Sequence, residues 1–102
     1  MSDSVKYYYL KLKEDFFSSD AMIVLENLQD GYKYSNILLK LYLKSLKDEG
    51  RLMLNGRIPY NTKTLAQVTN HSVGDVELAI KAFEELGLVE ILDNGAIYML
   101  DI

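Results

Sequence analysis

The chain has 102 residues, of which 49% are hydrophobic and 25% charged, and its formal net charge is −4. That is enough apolar material for one packed domain over 1–102, with 1–31 as an N-terminal extension and 32–102 as its core. Without cysteine there are no disulfides and no thiolate metal site. No apolar run approaches the ~20 residues of a membrane span, and MSDSVKYYY lacks a signal-peptide core, so the cytoplasm is the expected compartment.

The charge is unevenly spread. Residues 1–63 carry ten Lys/Arg against eight acids, a balance of +2, whereas 64–102 carry Lys81 against seven acids, a balance of −6.

In chain order, residues 6–17 (KYYYLKLKEDFF) alternate partly as a strand does. Ser18 and Ser19 are good N-caps for a short helix from Asp20 to about Gln29, and Gly31 supplies the left-handed residue that ends it. A long helix follows from about Tyr34 to Glu49, closed by Gly50. Lys33, Asn36, Lys40, Lys44 and Lys47 fall in a strip of about 80° at helical spacing. Ile37, Leu38, Leu39, Leu41, Tyr42, Leu43 and Leu46 cover the rest. So broad an apolar surface predicts a central helix, or one that meets another protein.

Arg51–Leu54 reads as a strand, with Asn55-Gly56 as its turn. Pro59 bars a helix through it, and the next helix starts at Asn61 or Thr62, buries Leu65, Ala66 and Val68, and breaks at Asn70-His71. Ser72 with Asp75 forms a variant capping box. The helix after it buries Val76, Ala79, Ile80, Phe83 and Leu86 and closes at Gly87. Leu88–Leu92 and Ala96–Leu100 flank Asn94-Gly95, a hairpin signal. This order predicts an α+β fold, mostly α: a winged helix-turn-helix with an extra N-terminal strand and helix.

In such a fold the second helix of the motif enters the major groove. Here it would present Asp75, Glu77, Lys81, Glu84 and Glu85, a mainly acidic face that repels a polyanion, so its acids are expected to remain solvated or to dock a protein. Phosphate contacts are instead expected from Lys33, Lys40, Lys44, Lys47, Arg51, Arg57 and Lys63, with Asn70, His71 and Ser72 able to hold one phosphate at a helix N-terminus. Tyr7, Tyr8, Tyr9, Leu10, Leu12, Phe16 and Phe17, together with Leu39 and Leu43 of the long helix, are the expected surface for self-association. One histidine and no cysteine leave no nucleophile–base pair and no His-rich metal site, and no phosphate-binding glycine loop is present. No enzyme, cofactor or small-molecule substrate is expected.

Three segments, KYYYLKLKEDFF (Lys6–Phe17), LKLYLKSLKDEG (Leu39–Gly50) and IPYNTKTLAQVTNHSVGDVELAIKAFEELGLVEILDNGAIYM (Ile58–Met99), resemble the N-terminal domain of phage replisome organizers. Tyr9 stands where that family often has Trp. The resemblance implies a winged-helix domain related in architecture to DnaD-type primosome proteins, followed by further chain. It also implies a role at the replication origin, with origin DNA and the replicative helicase or its loader as partners; the homo-oligomer is expected from the aromatic N-terminal segment and the broad apolar surface of the long helix. The alternative reading is a dimeric winged-helix transcriptional regulator on operator DNA, for which a basic second helix or wing would be expected. A third is a pure protein-docking module.

Overall fold

Four helices and one two-stranded antiparallel sheet make up the fold, described for residues 7–100 by a computed structural model. The helices are α1 (Asp20–Glu26), α2 (Tyr32–Ser45), α3 (Thr62–Thr69) and α4 (Val73–Glu85), and the strands are β1 (Val89–Ile91) and β2 (Ile97–Met99). None of the helices is long and apolar enough to cross a membrane.

Helix α2 is central. It packs against α1, α3, α4 and β2, burying Ile37, Leu38, Leu41 and Tyr42 among Met22, Leu25, Leu65, Val76, Phe83 and Met99. That accounts for most of its broad apolar surface. Tyr32, Leu39 and Leu43, spaced i, i+7, i+11, form an outer stripe on which Tyr32 and Leu43 are exposed and Leu39 is half-buried. The helix tightens into a 3-10 turn over Leu46–Asp48, and Glu49 and Gly50 then reverse the chain at φ 57° and 94°.

Several local expectations need correction. Residues 7–12 make no backbone hydrogen bond among the described residues, so no N-terminal strand forms; Lys6 lies outside them. Alternation decides which side chains turn inward, but a strand also needs a free sheet edge beside it. Ser19 alone caps α1, accepting from the Met22 amide, and the helix stops at Glu26. Gly31 is right-handed at φ −55°, while the left-handed residue is Asp30 at 56°. Glycine is required at 31 for a different reason: a Cβ there would lie 2.2 Å from the Glu26 carbonyl oxygen.

Asn61 caps α3 in a reciprocal box with Thr64. Thr69 rather than Val68 is buried, because its hydroxyl finds an acceptor in the Leu65 carbonyl at 2.7 Å. Leu86, at the C-cap of α4, is exposed rather than buried. The hairpin turn is longer than the Asn94-Gly95 pair suggests. The Gly95 amide donates to the Leu92 carbonyl at 2.9 Å, and only Gly95, at φ 86°, is left-handed. A two-residue turn of that sequence would need positive φ at Asn94 too.

Residues 50–54 lie against the free side of β2, the Leu52 amide donating to the Ile97 carbonyl at 2.9 Å. On its other side the chain turns back on itself. Met53 pairs with Pro59, the Tyr60 amide donates to the Leu52 carbonyl at 3.1 Å, and the Leu54 amide to Ile58 at 2.8 Å. The expected Arg51–Leu54 strand is thus a pair of isolated bridges that anchors a second, irregular hairpin between α2 and α3.

Candidate nucleic-acid interface

The first half of the lysine strip is turned inward. Lys33 Nζ donates to Asp75 Oδ2 at 3.2 Å and lies 3.9 Å from Asp30. Asn36 Oδ1 lies 2.8 Å from His71 Nε2, within reach of a donating Nε2–H, and Lys40 Nζ donates to the Thr69 carbonyl at 2.7 Å. These three residues recur once per turn along α2. Together they fasten α2 to the α3–α4 turn and to the first turn of α4.

The pairing adjusts the charges involved. The hydrogen bond to Asp75 raises the Lys33 pKa, and the same bond lowers that of Asp75. Burial, followed by the charge of Lys40, lowers the His71 pKa and favours neutral imidazole. Ser72 Oγ accepts from the Asp75 amide at 3.0 Å, and Asn70 is the left-handed C-cap of α3 at φ 60°. The start of α4, where a phosphate was expected, is thus occupied by its own cap and by a Lys33-bound carboxylate. Of the expected acidic face, Asp75 is half-buried and paired, while Glu77, Glu84 and Glu85 are exposed and have no ion-pair partner among the described residues.

The remaining expected cations face solvent. Lys44, Lys47, Arg57 and Lys63 are exposed, and no carboxylate among the described residues pairs with their side chains; Arg51 is exposed, 3.8 Å from Glu49. Arg57 sits on the hairpin between α2 and α3, whose tip is held by Asn55 Oδ1 accepting the Arg57 and Ile58 amides at 2.8 and 2.9 Å. Leu54 and Ile58 beside it are 50% and 52% exposed. The composition carried a signal for this region that periodicity does not reveal. From Gly50 to Gly74 the sequence holds no Asp or Glu, though the chain has 15 of them.

The expected self-association residues divide. Leu10 and Phe16 pack against the core, and with Leu12 they line a groove of about 680 Å³ above Met22, Leu38 and Tyr42. Tyr7 and Tyr9 are 73% and 79% exposed, and Tyr8 and Phe17 are also exposed, Phe17 meeting Phe16 edge-on. Leu43 is exposed and Leu39 half-buried on the outer stripe of α2.

No match was found among curated proteins or among solved structures. The family model of the N-terminal phage replisome organiser does match, over residues 9–102. That span holds every element of the fold, the α2 staples to the turn and the acid-free hairpin. The chain therefore belongs to the N-terminal phage replisome organiser family, whose role lies in phage DNA replication.

Proposed function

We propose that this chain is a winged-helix module of a replication-initiation protein that binds duplex DNA by its phosphates and self-associates while the initiation complex assembles at the origin. In this reading α3 and α4 are the helix-turn-helix and β1–β2 the wing. The contact surface is the cationic edge formed by Lys44, Lys47, Arg51, Arg57 and Lys63, not α4. The observation that carries the reading is the division of charge: Lys44 and Lys47 precede, and Arg51, Arg57 and Lys63 lie within, a segment that is free of Asp and Glu from Gly50 to Gly74, while α4 exposes Glu77, Glu84 and Glu85. Release of counterions by cations dominates affinity for duplex DNA, so the acidic helix is a poor groove reader and the cationic edge a good backbone clamp. The same charge pattern argues against an operator-reading regulator. Glu77, Glu84 and Glu85 are left available for a protein partner, for which a helicase or its loader is our proposal.

The test is a titration of the chain against labelled duplex at several salt concentrations. We expect binding that weakens steeply with salt and is lost in the K44E/K47E/R57E/K63E variant. Binding that survives those four changes would reject the cationic edge.

A further inference from the structure

The hairpin between α2 and α3 carries three features that its own fold does not require. Leu54 and Ile58 place half of their aliphatic surface in water on either side of Arg57. The Arg57 guanidinium has no hydrogen-bond or carboxylate partner among the described residues. Gly56, between Asn55 and Arg57, is not in the left-handed region, and a Cβ on it would meet nothing within 4 Å. Neither backbone conformation nor intramolecular packing therefore calls for glycine there. Glycine also serves where a backbone must come close to a ligand, and that use remains.

The tip is also stiff. Asn55 Oδ1 accepts two backbone amides within it, and the Leu54–Ile58 and Leu52–Tyr60 hydrogen bonds tie its arms to the residues beside β2. An aliphatic pair on a rigid two-armed loop, centred on an arginine and a bare glycine, matches the chemistry of a minor-groove wedge. The minor groove is about 6 Å wide, so the tip of the hairpin and not its paired arms is what enters. The groove's negative potential attracts arginine where it narrows, and Leu or Ile side chains are among those that unstack a base step.

We propose that the Leu54–Ile58 hairpin enters the minor groove of A·T-rich duplex DNA, with Arg57 in the groove and Leu54 and Ile58 prying open a base step so that the duplex bends. This rests on the reading that the cationic edge binds duplex DNA, and it adds a deformation that phosphate contacts alone would not produce. Flexible TA steps are the cheapest to kink, so a duplex containing one is the substrate of choice.

The experiment measures end-to-end energy transfer across a short duplex carrying donor and acceptor dyes and a central TA step, with the 102-residue chain, its L54S/I58S variant and its G56V variant. Circular dichroism checks that each variant is folded, as the solvent-facing positions of these residues lead one to expect. The wild-type chain should raise transfer, corresponding to a bend of roughly 20–90°. Both variants should still bind, within a few-fold of wild type, yet return transfer to the level of the free duplex. An equal bend with all three proteins, or wild-type binding with no bend, would overturn the wedge and leave the cationic edge standing. Absence of duplex binding at low salt would overturn both. A loss of self-association in L54S/I58S with the bend unchanged would make the hairpin a protein contact and also overturn the wedge.

Discussion

Lys40 Nζ donates to the Thr69 carbonyl across 2.7 Å, so a lysine of the long helix caps the C-terminal turn of α3. The carbonyls of a last turn have no partner within their own helix, and a cation there also complements the helix dipole. We expect Lys40→Met to keep the aliphatic stem packed but lose about 1 kcal/mol of stability. Urea denaturation of the two proteins measures this, and an unchanged midpoint would show that the contact contributes nothing.

The glycines separate packing from conformation. Gly31→Ala should cost about 2 kcal/mol or more, because its Cβ would meet the Glu26 backbone and the chain cannot yield there cheaply. Gly74, inside α4, has only Ser72 Oγ near a Cβ position, at 4.0 Å, and no positive φ. Gly74→Ala should therefore raise stability by up to about 1 kcal/mol. Thermal midpoints moving the opposite way at either site would refute the corresponding geometry.

Acid should weaken the α2 fastening. Burial and Lys40 hold the His71 pKa below its usual 6.5, so the unfolded chain takes up that proton first. Stability is then full above 6.5 and falls as the pH drops from there through the folded value. Asp75, held below 3.8 by Lys33, contributes in the same direction but only at lower pH. We expect a lower urea midpoint at about pH 5.5 than at about pH 7.5, with the difference reduced in His71→Gln. An identical pH dependence in the variant would remove His71 from the account.

Much of the helical order is legible in the sequence, because caps and breakers are local. Asn61 and Ser72 each mark a helix start that the structure reproduces, and Gly87, left-handed at φ 74°, follows the end of α4. What depends on contacts distant in sequence is not legible. Helical spacing puts Lys33 and Lys40 on a solvated strip, but their partners, Asp75 and Thr69, lie 42 and 29 residues away. The N-terminal segment shows the same limit: its alternation is real, yet nothing local supplies an edge to pair with. The exposed aliphatics of the second hairpin are not legible either: Leu54 reads as the end of a strand and Ile58 belongs to no predicted element, and only the fold shows both uncovered.

Self-association should run through the outer stripe of α2. Tyr32, Leu39 and Leu43 are aligned on it, with Tyr32 and Leu43 exposed. Leu10 and Phe16 already pack against the chain's own core. In sedimentation at micromolar concentration we expect the wild-type chain to exceed monomer mass and Leu43→Glu to reduce it, with Leu12→Ser having the smaller effect. A wild-type monomer, or a variant of unchanged mass, would remove α2 from the interface.

In the proposed function DNA meets the cationic edge and not α4. Amide chemical shifts followed during titration with a short duplex test it most directly, residue by residue. We expect perturbations to concentrate over 44–63 while 73–85 stay nearly still. Shifts centred on Asn70–Lys81, with the 50–63 segment silent, would contradict it.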